Sequence, residues 1–425
     1  MGKKRVFVTG MGVVCSIGKN VKDFSASLKN GTSGIVKMEQ LKGLPFGDVI
    51  GAPVRDFTLQ KSLEGLRFLP ENIISSAFRC AGRSPFTVQV SVSVALEAWE
   101  QSGLHRGGVD PERIGIIAAG HNISQRYHYE AYLKYGRELE YLNPRYPLHY
   151  MDTDHVGTIS EILGIKGEGF TVGDASATGN AGILKGCQMI QIDSADVCMV
   201  VAPPADLSPL EVQGFYNMGA MGGRRFSDAP EKACRPFDRD HEGFIYGQGA
   251  GCLILESMES MQKRGGTALA EIQGASLVLD ANRLSNPSVD GEARAMVKAL
   301  NSAEIGPSDI NYINAHGSSS PLGDEVELKA IKRVFEKELS NIWINSTKGL
   351  IGHCLYSAAV IEAIAVIIQM QEGFVHGNIN LENPVDNDFL FVKSKYENAS
   401  IEYALSNSFG FGGINTSIVL KRSTA

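Results

Sequence analysis

With 425 residues, 43% of them hydrophobic, the chain can bury a large core and falls in the range of two or three globular domains. Forty basic against 47 acidic residues leave a formal charge of -7, which argues against generic nucleic-acid binding and against attraction to an anionic membrane surface, so an acidic partner would need a local basic patch. The seven cysteines, Cys15, Cys80, Cys187, Cys198, Cys234, Cys252 and Cys354, are scattered and form no CxxC pair, which fits a reducing cytoplasm and gives neither a disulfide framework nor a metal site.

Lys3, Lys4 and Arg5 ahead of an apolar run mimic a secretion signal, but the run is short, valine-rich and broken by Gly10 and Gly12, so residues 6–14 read as a first buried strand. Val6 stands where a myristoylation signal starting at Gly2 wants Ser or Thr. A helix is expected over residues 21–29, an amphipathic helix over 88–102 and a strand over 114–119. Residues 124–158, rich in Tyr, His, Asn and Pro, read as an irregular insertion suited to an entrance or a subunit contact. Strands follow at 170–172, 197–201 and 251–256, with a helix over 181–191.

A second alternation begins near Thr267, with strands at 310–314, 342–345 and 416–420 and helices at 325–336 and after His353. The apolar run 354–370 carries Glu362 near its middle and reads as a buried core helix, not a membrane span. The whole is an α/β protein of two related halves, residues 1–256 and 257–425, with no linker between them.

Ser176 lies in the turn Val172-Gly173-Asp174-Ala175-Ser176-Ala177-Thr178-Gly179-Asn180, between a strand and a helix. Nucleophiles are commonly presented at such junctions, because helix N-terminal amides stabilise negative charge there. His316, in Asn314-Ala315-His316-Gly317-Ser318, follows a strand and has small neighbours that would let a substrate approach. His353, ending Asn345-Ser346-Thr347-Lys348-Gly349-Leu350-Ile351-Gly352-His353, has the same setting. A lone histidine is more often structural than catalytic, but two in matching strand-loop contexts favour chemistry; the others, His241 and His376 among them, read as structural.

The glycine-rich segments are weaker signals. Gly410-Phe411-Gly412-Gly413 lacks the Lys-Ser or Lys-Thr of a phosphate loop and suits a strained turn offering an amide to an oxyanion. Gly10-Met11-Gly12 has Cys15 in place of the third glycine of a dinucleotide fingerprint, and Gly247 to Gly251 reads as a tight strand entrance. Ser176 is not in a Gly-x-Ser-x-Gly elbow, which disfavours an α/β-hydrolase.

Taken together the chain resembles the β-ketoacyl-acyl-carrier-protein synthases of the thiolase superfamily along nearly its whole length. The resemblance runs from Arg5-Val6-Phe7-Val8-Thr9-Gly10-Met11-Gly12 through Arg235-Pro236-Phe237-Asp238 and both histidine segments to Asn407-Ser408-Phe409-Gly410-Phe411-Gly412-Gly413. It implies a thiolase-like duplicated α/β/α/β/α five-layer fold, a homodimer, and a Cys-His-His site fed by the phosphopantetheine arm of an acyl carrier protein, with no cofactor of its own. By position Ser176 replaces the family's nucleophilic cysteine, His316 and His353 match its two histidines, Lys348 its supporting lysine and Phe411 its gating phenylalanine, whose amide helps form the oxyanion hole. Asp324 and Glu362 match supporting acidic positions, and Arg224 with Arg225 lies near the family's carrier-docking region.

Serine in that place is similar to the decarboxylating synthases of bacterial polyketide β-branching cassettes, which work beside HMG-CoA-synthase-like enzymes. Tyr356 in place of a glycine and Pro203-Pro204 in place of a glycine pair are further departures from elongating enzymes. The expected activity is therefore decarboxylation of malonyl-carrier protein to acetyl-carrier protein in polyketide, and so antibiotic, biosynthesis. Two alternatives stay open: a condensing synthase carrying a Cys-to-Ser substitution, and an inactive partner subunit like a chain-length factor.

Overall fold

The computed structural model describes residues 4–41, 47–393 and 395–423. Gly2 and Lys3, weighed above in the leader and lipidation readings, lie outside them. The apolar runs of the first half form strands β1 (Val6–Cys15), β2 (Ile114–Ala119), β3 (Gly169–Val172), β4 (Val197–Ala202) and β5 (Gly249–Ser257). Those of the second half form β6 (Ala270–Leu279), β7 (Tyr312–Asn314), β8 (Trp343–Asn345), β9 (Leu390–Phe391), β10 (Tyr403–Gly410) and β11 (Ile414–Arg422).

All eleven are hydrogen-bonded in the order β9-β8-β7-β10-β11-β6-β1-β5-β4-β2-β3. The pairing senses show the duplication. In the first half β1–β5 and β5–β4 are antiparallel, then β4–β2 and β2–β3 parallel. In the second, β6–β11 and β11–β10 are antiparallel, then β10–β7 and β7–β8 parallel, with β9 added at the edge. Only Phe7–Glu271 and Val8–Ala270 join the halves across β1 and β6, so two sheets meet at a narrow seam.

The five longest helices among the described residues are α1 (Phe86–Ser102), α2 (Thr178–Gln191), α3 (Val289–Ala303), α4 (Pro321–Phe335) and α5 (Ala358–Glu372). The helices α2 and α5 pack on each other between the two sheets, α1 covers the outer face of the first half, and α3 with α4 that of the second. This is the five-layer arrangement the resemblance implies. The central helix α5 is buried all round from Ala358 to Met370 and apolar but for Glu362 and Gln369, which suits a position with sheet above and below. Val360, Ile361, Ile364, Val366 and Ile367 are fully buried, each contributing about 1.5–3 kcal/mol relative to exposure. The run Leu355–Glu372 has the length and composition to cross a membrane, and 83% of it is buried within the fold.

Three expectations need correction. The helix α1 is buried on nearly all sides and is not amphipathic; its valines pack on β1 and β5, and tertiary burial overrides their weak helix propensity. Residues 124–158 are largely helical, with helices at Gln125–Tyr135, Tyr146–Tyr150 and Thr153–Leu163. Helix α4 starts at Pro321, four residues early, because proline pre-sets the first helical position. Gly10 and Gly12 face the backbone of α1, where an added Cβ would lie 2.2 Å from Ala98 O and 2.1 Å from Val94 O, so close packing accounts for both glycines.

Candidate active site

Parallel pairing places both histidine loops side by side. Asn314 and Asn345 end β7 and β8 and are register partners, so the segments carrying His316 and His353 leave the sheet together. Asn314 Nδ2 donates to Thr347 Oγ1 at 2.9 Å and Ser346 Oγ donates to Gly317 O at 2.7 Å, tying the loops to each other. Ser176 arrives from the other half, at the turn between β3 and α2. Ala175 there has φ 47°, a strained value for a residue with a side chain, and it turns Ser176 toward the histidines. Strand β10 presses on this turn from below: Ser408 Oγ donates to Ser176 O at 2.8 Å. A Cβ on Gly410 would lie 3.0 Å from Asp174 O and 3.2 Å from Ser176 N.

The hydrogen bonds around His353 assign its tautomer. Its Nδ1 accepts the amide of Leu355 at 3.1 Å, so Nε2 carries the proton and donates to Ser176 Oγ at 3.0 Å. The ring of His316 stands 5.3 Å from that of His353, nearly perpendicular, and 5.7 Å from Phe409. Burial holds both imidazoles well below the ordinary histidine range, and the Lys348 ammonium adds to the effect on each. Both therefore stay neutral near pH 7.

Lys348 and Glu362 are fully buried and form an ion pair behind the histidines, away from the cavity wall. Burial pushes the Glu362 carboxyl up and Lys348 pulls it back. Asp324 is also fully buried but belongs to the frame: it accepts from the amide of Phe237 at 2.8 Å and meets His241 Nδ1 at 3.1 Å.

A cavity of about 400 Å3 opens onto Ser176, His316, His353 and Phe411. Phe411 is 40% exposed at the tip of the β10–β11 hairpin, where Gly412 (φ 87°) and Gly413 (φ 69°) take left-handed conformations. Tyr356 is buried in the cavity wall, its hydroxyl donating to Pro204 O at 3.1 Å, so two of the departures noted in the sequence meet each other. Its ring lies 5.7 Å from that of His121.

Three residues at the site escaped the sequence reading. Glu327 accepts from the amides of His316 and Gly317 at 2.8 and 2.7 Å, fixing the first histidine loop, and burial raises its carboxyl to about 7. Its only sequence signal was the i, i+3 spacing from Asp324 on one helix face. His121 follows β2 by two residues as His316 follows β7, so the duplication itself could have pointed to it. Glu292, on α3, lines the same cavity and had no signal. Arg224 and Arg225 sit on the surface, Arg224 over the ring of Tyr216 at 4.5 Å and Arg225 donating to Asp240 O at 2.8 Å.

Residues 3–260 match the N-terminal domain of β-ketoacyl synthases and residues 269–382 the C-terminal domain. The chain is 36% identical over 416 residues to the polyketide biosynthesis malonyl-ACP decarboxylase PksF of Bacillus subtilis, covering 98% of this chain and 96% of that protein. It is 32% identical over 431 residues to 3-oxoacyl-acyl-carrier-protein synthase 2 of Coxiella burnetii, covering 99% of each. Among solved structures it resembles a type II polyketide ketosynthase in complex with its acyl-carrier protein, with a TM-score of 0.85, 28% identity, and coverage of 99% of this chain and 100% of that one. The ishigamide ketosynthase/chain length factor gives a TM-score of 0.86 at 26% identity, with 100% of both chains covered.

Proposed function

The chain belongs to the β-ketoacyl synthase family, and within it we propose that it decarboxylates malonyl-carrier protein to acetyl-carrier protein without an acyl-enzyme intermediate. The observation that carries this reading is the direction of the Ser176–His353 hydrogen bond. A base that is to activate serine must offer a lone pair, and His353 offers Nε2–H. Without that activation an alcohol is a weak acyl acceptor. Its pKa lies roughly seven units above that of a thiol, or roughly 10 kcal/mol. The N-terminus of α2 offsets only about 0.3–2 kcal/mol.

Loss of CO2 from a malonyl thioester needs no nucleophile. Electrons of the breaking C–C bond move into the thioester, and negative charge builds on its oxygen. His353 Nε2–H and the imidazole of His316 supply the two donors for that oxygen, at the wall of the cavity they share. Burial keeps both rings neutral and the Lys348 ammonium adds to the effect, so each imidazole carries one N–H to donate. Protonation of the carbanion then gives acetyl.

The relative in Bacillus subtilis, named a malonyl-ACP decarboxylase, supports the same reaction. Tyr356 walls the cavity, held by its bond to Pro204 O, which suits a short malonyl unit better than a long acyl chain. We place the activity in a polyketide β-branching pathway, beside enzymes that act on the acetyl group. Exposed Arg224 is the candidate contact for the acidic carrier. The exposed Tyr132, Leu133, Leu139 and Tyr141 of the helical insertion form the face we assign to a second copy of the chain.

Release of CO2 from malonyl-carrier protein tests the reading. Steady release by the native protein, cut steeply in His316→Ala and His353→Ala, is expected; a folded native protein that leaves the malonyl carrier intact rejects it. Arg224→Glu should raise KM for the carrier while leaving turnover of a malonyl-pantetheine substrate unchanged.

A further inference from the structure

Decarboxylation leaves a carbanion, and the two histidines bound to its oxygen are poor acids in their neutral form. The site needs a proton source. Glu292 lies in the first turn of α3, is 1% exposed, and lines the same cavity as Ser176 and both histidines. Its Oε2 has no hydrogen-bond partner among the described residues. Neighbouring Gly291 makes room for the arrangement: a Cβ there would overlap the carboxylate of Asp280 and lie 2.7 Å from Asn415 Nδ2, and both residues also line the cavity.

We propose that Glu292 is the general acid that protonates the acetyl carbanion, an inference that rests on the decarboxylase reading. Burial raises its carboxyl well above the ordinary range, and the nearby Glu327, Asp280 and Asp324 raise it further, so it enters the reaction as a neutral acid. The balance is simple. The C–C bond to the leaving CO2 breaks and its electron pair passes to the α-carbon. The O–H bond of Glu292 then breaks as a C–H bond forms at that carbon. The resulting Glu292 carboxylate recovers a proton from water, which supplies the one proton the overall reaction consumes. A neutral acid also receives the malonyl carboxylate without the repulsion an ionised glutamate would impose.

The test compares the native protein with Glu292→Gln and Glu292→Asp, using malonyl-carrier protein in an equal mixture of light and heavy water. Turnover, carrier affinity and the deuterium content of the acetyl product are read together. Glu292→Gln is isosteric with the neutral acid, so affinity for the malonyl carrier should stay within about twofold. Turnover should fall about 100-fold, the lower end of what a general acid supplies. The deuterium content should shift from the native value, and Glu292→Asp should recover it at least in part. A shifted deuterium content at unchanged turnover also supports the proposal, since it places protonation after the slow step. Unchanged deuterium content in Glu292→Gln overturns it whatever the rate, because a structural role would alter turnover without altering the proton donor. Absence of CO2 release from the native protein would instead sink the decarboxylase reading, and is distinguished by that control.

Discussion

Ser176 receives a hydrogen bond from His353 Nε2–H, which offers it no lone pair, so its hydroxyl can position a substrate more readily than attack one. Ser176→Ala should therefore keep a measurable part of the decarboxylation, whereas loss of either imidazole should cost about 100- to 1,000-fold in kcat, the scale of one oxyanion donor. Rate assays on the three variants decide this; a fully inactive Ser176→Ala would return the serine to a nucleophilic role. Ser176→Cys should gain what the native protein lacks, a mass increase of the protein itself on incubation with an acyl-carrier thioester. These residues were legible because small-residue turns at strand ends leave few structural reasons for a serine or histidine. Glu327 and Glu292 were not, since a glutamate within a helical pattern reads as solvated surface until the fold buries it.

The loops act as a set because the elements beneath them are rigid. Strand β10 touches the Ser176 turn through Gly410, and Gly410→Ala would force a Cβ against Asp174 O and Ser176 N. Activity should drop with little change in the melting temperature, as the turn and not the sheet must yield; retained full activity would show that the contact is not limiting. Tyr356, in the cavity wall and bonded to Pro204 O, is a second case. Tyr356→Phe strands the Pro204 carbonyl and should destabilise the fold by about 1–3 kcal/mol in denaturant titration. Tyr356→Ala should cost about 3–5 kcal/mol and raise turnover of 2-alkylmalonyl thioesters relative to malonyl. An unchanged preference would mean that another group sets chain length. At this scale the sequence showed which elements exist better than how they are buried. The periodicity of α1 is blurred because it packs on both neighbours and strand face, and the aromatic insertion hid helices that its Pro and Asn residues seemed to forbid.

Across the whole molecule the repeated strand order carries the design: each half sends its parallel-strand loops to one end, and the site forms where the two ends meet. The repeat was visible as two strand and helix alternations, but the two-residue seam between β1 and β6 depends on twist and could not be read from pattern. Burial of ionisable groups also gives the whole fold a pH signature. His155 and His376 are lowered to about 4 by burial, so between about pH 6.5 and 4 the unfolded chain binds protons that the folded one does not. Their contribution is intact above that window and is lost as pH falls through it. Glu97 and Glu327, raised to about 7 by burial, act oppositely: the folded state holds their protons, and stability falls as pH rises from about 4.5 to 7. Scanning calorimetry should then show a shallower acid-side loss in His155→Gln and a shallower neutral-side loss in Glu97→Gln; slopes equal to the native protein's would contradict both assignments.

Intact-mass analysis of carrier and protein together, after incubation of the native protein with malonyl-carrier protein, separates decarboxylation from acyl transfer in one measurement. A decarboxylase without an acyl-enzyme leaves a carrier lighter by the mass of CO2, bearing acetyl, beside a protein of unchanged mass at every time point. An acyl adduct on Ser176 that forms and decays at the rate of turnover would contradict it.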